Sequence, residues 1–179
     1  MTNPESPEDQ LSDAHLARFG SIVTSFAKFE YLISCTMAAV AGVEDMKIVF
    51  LTKALTYSQK RDTLYSYMTQ YVIKQAVSNR IIEIVDEAHG YSGLRNNIAH
   101  AIWVKGTREG SIRPGYVDVR YGKGRILGYG DGERDYTVDE LGDAANAMLR
   151  LSNELIRYLR DSGIAPDIAT NIERANVFS

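Results

Sequence analysis

The sequence predicts a mainly α fold: an antiparallel bundle of four to five helices, with a small β-hairpin or three-strand insert before the last long helix. Three observations carry that prediction. Apolar residues recur at threes and fours in long stretches before residue 100 and after residue 137. Between them, residues 101–130 change to short period-two runs separated by glycines. Thr137-Val138-Asp139-Glu140 then has the capping-box pattern and restarts the helical spacing. With 179 residues and 45% hydrophobic composition, the chain is long enough to bury one good core. It reads as a single domain over 1–179, with the insert at about 101–130 and a C-terminal tail at about 164–179.

Ser6-Pro7-Glu8-Asp9 reads as a helix start, with serine as N-cap and proline at the first helical position. The first helix then runs to about Ala41, with a stripe of Phe19, Ile22, Val23, Phe26, Ile33, Met37 and Val40. Glu30 interrupts that stripe. A carboxylate on an apolar face needs a partner, because an unpaired buried charge is costly. Arg95 is the expected partner; a wide stripe that leaves Glu30 at its edge is the alternative. Residues 42–56 are a connection with a helical turn around Met46 to Ala54. Ser58 caps a third helix to about Lys74, with Leu64, Met68, Tyr71 and Val72 inward.

A fourth helix begins near Ser78 or Asn79. Ile81, Ile84, Val85, Ala88, Tyr91, Arg95 and Ile98 keep its spacing, so Arg95 continues the packing face. Gly90 and Gly93 lie inside it, each costing up to about 1 kcal/mol relative to alanine. They mark a bend or a close helix–helix approach, and are expected to shape a dimer contact. Ala101 to Lys105, Tyr116 to Tyr121 and Arg125 to Tyr129 read as strands, with Gly122-Lys123-Gly124 as a hairpin loop. The last helix turns Val138, Leu141, Ala145, Met148, Leu149, Leu155, Ile156 and Leu159 to one face and stops at Gly163.

The net charge of −3 argues against wholesale coating of nucleic acid but leaves room for a local basic site. Cys35, the single cysteine, falls in an apolar helical pattern and reads as a small buried residue. There is no disulfide framework and no Cys/His cluster with zinc spacing. His15, His89 and His100 are too scattered to suggest a metal site, and no cofactor is implied. The acidic, proline-containing start is unlike a secretory signal, and no apolar run reaches a membrane span of roughly 20 residues. A cytoplasmic protein without membrane partners is the expectation.

Chemistry concentrates in Leu94-Arg95-Asn96-Asn97-Ile98-Ala99-His100, where the helical half ends. Arginine is permanently charged and grips a phosphate through two parallel hydrogen bonds. Histidine is the side chain whose unperturbed pKa of about 6.5 suits proton transfer near neutrality. Together they suffice in outline to cleave RNA, whose own 2′-OH is the nucleophile, so no metal is required. Asn96 and His100 share a helical face, whereas Arg95 and His100 stand roughly 140° apart around a straight helix. Convergence requires the helix to end or bend near His100, or a second copy to contribute. In-line cleavage wants both a base and an acid, and this segment offers one histidine; a two-fold dimer would present two Arg/His sets. The bland alternative is an arginine paired with a carboxylate and a histidine that complements the helix dipole.

These seven residues resemble the signature of the HEPN superfamily: Arg, a polar residue, three more residues and His at a helix end. The resemblance covers the helical core, residues 11–100 and 137–162, and carries over only Arg95, Asn96 and His100. It implies a helical bundle and a composite ribonuclease site between two protomers. An acidic residue on an early helix recurs near the motif in relatives, which is Glu30's position here. Some HEPN toxins paired with nucleotidyltransferase antitoxins have Tyr two positions after the His; this sequence has Ile102 there, followed by Trp103. Other members bind nucleotides or partners without cleaving RNA.

Two functions of different class follow. One is a metal-independent endoribonuclease acting on single-stranded RNA as a homodimer, a toxin or phage-defence effector with an antitoxin or regulatory protein as partner. The other is a noncatalytic helical interaction or nucleotide/RNA-binding module. The insert bears on RNA contact. Arg113, Arg120, Lys123 and Arg125 interleave with Tyr121 and neighbouring tyrosines, and cations with stacking rings hold single strands. A two-sided hairpin, aromatics packed on one face and charges solvated on the other, is the commoner arrangement for the same residues.

Overall fold

The computed structural model describes residues 11–71, 73–115, 118–119, 126–127 and 134–168. The chain is mainly helical, with a small antiparallel three-stranded sheet before its last helix. It divides into two compact units, Met1–Thr24 with Gly93–Asn146, and Ser25–Ser92 with Ala147–Ser179. The helices are α1 (Asp13–Ala41), α2 (Asp45–Thr52), α3 (Tyr57–Gln70), α4 (Gln75–His89), α5 (Ser92–His100) and α6 (Val138–Asp161). The strands are β1 (Ile102–Lys105), β2 (Ser111–Gly115), β3 (Asp118–Val119), β4 (Ile126–Leu127) and β5 (Tyr136–Thr137). No helix among the described residues is long and apolar enough to cross a membrane.

The second unit holds the helical core. Phe26, Phe29, Leu32, Ile33 and Met37 of α1 pack with Ile48 of α2 and with Tyr57, Leu64 and Met68 of α3. Ile81, Ile84, Val85 and Ala88 of α4 and Met148, Leu151, Leu155 and Leu159 of α6 complete the cluster, which also takes in Cys35. The expected α1 stripe is buried except Val23, which is 38% exposed.

Polar contacts fix the helix directions. The Tyr57 ring stacks on His89 and Arg61 reaches Asp86 (3.6 Å), so α3 and α4 are antiparallel; Tyr57 Oη also donates to the Val85 carbonyl (2.9 Å) and Tyr65 Oη to Asp86 (2.6 Å). Glu87 pairs with Arg150 and Arg80 with Glu154, so α4 and α6 are antiparallel too. The connection through α2 returns the chain, and α1 and α3 run the same way: Phe26 meets Tyr57 and Glu30 meets Lys60. Burial pushes the Tyr57 hydroxyl well above the usual tyrosine range.

Several boundaries move. The Ser6 helix start lies outside the described residues; α1 begins at Asp13, with Ser12 Oγ accepting from the His15 N–H (3.4 Å). Helix α3 is capped by Thr56, not Ser58: Thr56 and Gln59 form a reciprocal capping box, which fixes the first turn two residues earlier. Tyr71 is 47% exposed at the end of α3, and its inward positions are Tyr57, Lys60, Leu64 and Met68. The expected fourth helix is two helices, because the chain breaks at Gly90 and Tyr91. Gly163 ends α6 in the left-handed region (φ 73°), where a side chain would be strained.

The first unit holds the sheet, in the order β1-β2-β5. Register pairs Trp103 with Pro114 and Ile112 with both Lys105 and Tyr136, so these side chains share one face. On it the Trp103 ring lies 4.7 Å from Phe19 of α1 and 5.9 Å from Tyr136. Strand β2 escapes sequence reading because Pro114 and Gly115 look like a turn. Proline fits here because β5 pairs only Ser111 and Ile112 and has ended before Pro114. Strands β3 and β4 pair antiparallel, Asp118 with Leu127 and Val119 with Ile126.

One carboxylate closes the β1–β2 turn. Asp135 Oδ2 accepts from the Thr107 N–H and hydroxyl (both 2.6 Å), the Arg108 N–H (2.9 Å) and the Ser111 hydroxyl (3.1 Å). Arg108 bridges onward to Glu140 (2.5 Å), which accepts from the Thr137 N–H (2.8 Å) in the capping box that starts α6. The Thr107 hydroxyl is the largest cause holding Asp135 down at about 2; the Arg108 hydrogen bond holds Glu140 at about 2. Both lie below their ordinary values of 3.8 and 4.5, so their stabilisation is full above those values and is lost as pH falls towards 2. Trp103 fluorescence should therefore show a steeper acid loss in that window for the native chain than for Asp135→Asn/Glu140→Gln. Equal slopes would contradict the clasp. A Cβ on Gly106 would collide with Ser111 Oγ and approach Asp135 Cγ to 2.9 Å. Gly106→Ala is expected to cost about 1–3 kcal/mol in urea unfolding.

Candidate functional site

Helix α5 carries Arg95, Asn96 and His100. Leu94 is its buried anchor at 8% exposure. Arg95 is half-buried, whereas Asn96 and His100 are exposed. Arg95 Nη1 donates to Asn96 Oδ1 at 3.2 Å, and among the described residues the guanidinium has no carboxylate at ion-pairing distance. The arginine is thus steadied by a neutral neighbour and keeps its charge available to an anion.

The helix runs straight through the motif. The Ala101 N–H still bonds the Asn97 carbonyl at 2.8 Å, so helical geometry persists to His100 and stops immediately after. The roughly 140° between Arg95 and His100 is therefore not closed by a bend inside the motif. Asn96 and His100 do share a face. Of the two glycines upstream, Gly93 has open space where a Cβ would stand, while one on Gly90 would press the Glu87 carbonyl at 3.2 Å. The helix break coincides with Gly90, and neither glycine has positive φ.

Glu30, for which the sequence suggested Arg95, finds a partner inside its own unit: Lys60 Nζ lies 3.1 Å from Glu30 Oε2, with side-chain exposures of 10% and 20%. A signal for this was present in the sequence, since Tyr57, Lys60, Leu64 and Met68 follow helical spacing and set Lys60 on the buried stripe. Lysine at such a position reads as a solvated charge until its partner is seen.

Arg113 lies on β2 opposite Val104, on the sheet face away from Trp103. Arg120, Tyr121, Lys123 and Arg125 lie outside the described residues. Among the described residues of the first unit, buried His15 Nε2 and Trp103 Nε1 have no hydrogen-bond partner, a burial that their sequence positions do not announce. Among the described residues, no group of three or more His, Cys, Asp or Glu gathers where a metal ion would be held.

Chemically, α5 offers a cation free to hold a phosphate, an amide that steadies it and an exposed imidazole at the helix end. Comparison with known proteins finds no matching family model, no matching curated protein and no matching solved structure.

Proposed function

We propose that the protein is a metal-independent endoribonuclease of HEPN type that cleaves single-stranded RNA. The observation that carries the reading is Arg95: half-buried, without a carboxylate partner among the described residues, and tethered to Asn96 on the helix that ends in exposed His100. An arginine kept for structure would be expected to find a carboxylate, and Glu30, the candidate for that role, is engaged by Lys60.

In this mechanism Arg95 holds the scissile phosphate and stabilises charge on the phosphorane-like transition state. His100 moves one proton, as base toward the 2′-OH or as acid toward the leaving 5′-oxygen, and Asn96 orients the phosphate or His100. The 2′-oxygen attacks phosphorus and the P–O5′ bond breaks, which leaves a 2′,3′-cyclic phosphate and a 5′-hydroxyl. One straight helix with one histidine supplies neither convergence nor both proton-transfer groups, so a second copy of the chain completes the site. Such an enzyme suits a toxin or phage-defence effector held in check by an antitoxin or another regulatory protein.

The test uses one nucleotide sequence as RNA, as 2′-O-methyl RNA and as DNA, each incubated in EDTA. Only the RNA should be cut. Cutting of DNA would exclude the 2′-OH mechanism, and inertness of the folded dimer toward all three would favour a noncatalytic binding module.

A further inference from the structure

Helix α2 lies in the second unit and turns Ile48 and Thr52 inward, at 4% and 5% exposure. Its two largest side chains point the other way: Phe50 is 71% and Leu51 74% exposed, with Val43 just before the helix at 39%. Large apolar side chains exposed singly are ordinary, but Phe50, Leu51 and Val43 stand together in a patch suited to cover by another body.

The charges around the patch indicate which body. Residues 44–53 carry two acids and two lysines, so the patch has no net charge to draw it to an anionic bilayer. They are not spread evenly: Glu44 precedes the helix and Lys53 follows it. Glu44 is exposed and pairs with Lys47 at 3.4 Å, in a pair that is itself open to water. A helix acidic at its start and basic at its end is complementary to itself when reversed, and its dipole prefers the same arrangement.

We infer that α2 is a self-association surface, on which the α2 helices of two copies pair antiparallel about a two-fold axis. Lys53 of one copy then lies beside Glu44 of the partner subunit. The same register sets Phe50 against the Lys47 stem of the partner subunit, whose methylenes cover apolar surface while the ammonium stays in water. The two Phe50 rings come within about one helical turn of each other. Both copies use the same patch, as an isologous contact requires. With two large side chains per copy the contact is at the small end of specific interfaces, and association in the range of roughly 10–100 µM is expected. The inference does not rest on the ribonuclease reading: α2 belongs to the second unit and the α5 motif to the first.

Sedimentation equilibrium of the full chain tests it. Phe50→Glu/Leu51→Glu should weaken self-association at least about tenfold, with an unchanged helical circular dichroism spectrum. Lys53→Glu alone should weaken it at least about threefold, by setting like charges together. Glu44→Lys/Lys53→Glu, which exchanges the charges, should bring it back near the native value. Association untouched by the Phe50/Leu51 change overturns the proposal, as does a charge exchange that leaves it as weak as Lys53→Glu. A native chain that stays monomeric, or one that binds phosphatidylserine vesicles through Phe50 and Leu51 without self-associating, overturns it too.

Discussion

His100→Ala is expected to lower the rate of RNA cleavage at least about a thousandfold while leaving the fold intact. His100 is exposed at the last position of α5 and makes no side-chain hydrogen bond within the described residues, so its removal leaves no buried group stranded. The loss should therefore appear in the single-turnover rate and not in the urea midpoint. Arg95→Ala should lose comparable activity, with at most a modest stability change, because it breaks no ion pair among the described residues. Arg95→Lys keeps the charge but loses the two-pronged grip, and should recover only part of the rate. His100→Ala protein cutting within threefold of the native rate would remove the imidazole from the mechanism.

Lys60→Met is expected to destabilise the protein by about 3 kcal/mol, the low end of the cost of breaking a buried pair, because Glu30 keeps some access to water. The methionine fills the space of the lysine stem, so the cost is that of a carboxylate left unpaired on the core face of α1. Glu30→Gln/Lys60→Met, which removes both charges, should recover most of it. Urea unfolding followed by circular dichroism checks both. A loss below about 0.5 kcal/mol for Lys60→Met would show an ordinary surface pair. The same variants separate stability from chemistry, since neither residue belongs to the α5 motif.

Much of this architecture was legible from the sequence because it follows from local rules. The stripes of α1, α4 and α6 are apolar residues at helical spacing, and Thr137 with Glu140 announces the start of α6. Other features needed long-range information. On α3, Leu64 and Met68 are inward as the spacing predicts, but Tyr71 is exposed despite its apolar ring, and Lys60 is buried beside Glu30, thirty residues away. Strand β2 hides behind Pro114, which is tolerable only because β5 stops short of it. The Asp135 clasp joins groups up to 28 residues apart, and no local pattern marks it. For the candidate site, the sequence locates Arg95, Asn96 and His100 on one helix. The hydrogen bond that joins Arg95 to Asn96 depends on the rotamers of two sequence neighbours, which spacing alone does not announce.

The most direct measurement of the central claim is the product chemistry of a mixed single-stranded RNA incubated in EDTA with native protein, Arg95→Ala and His100→Ala. Native protein should give fragments ending in 2′,3′-cyclic phosphate, and neither variant should give any. Cleavage that persists in both variants, or native fragments with 3′-hydroxyl ends, would contradict it.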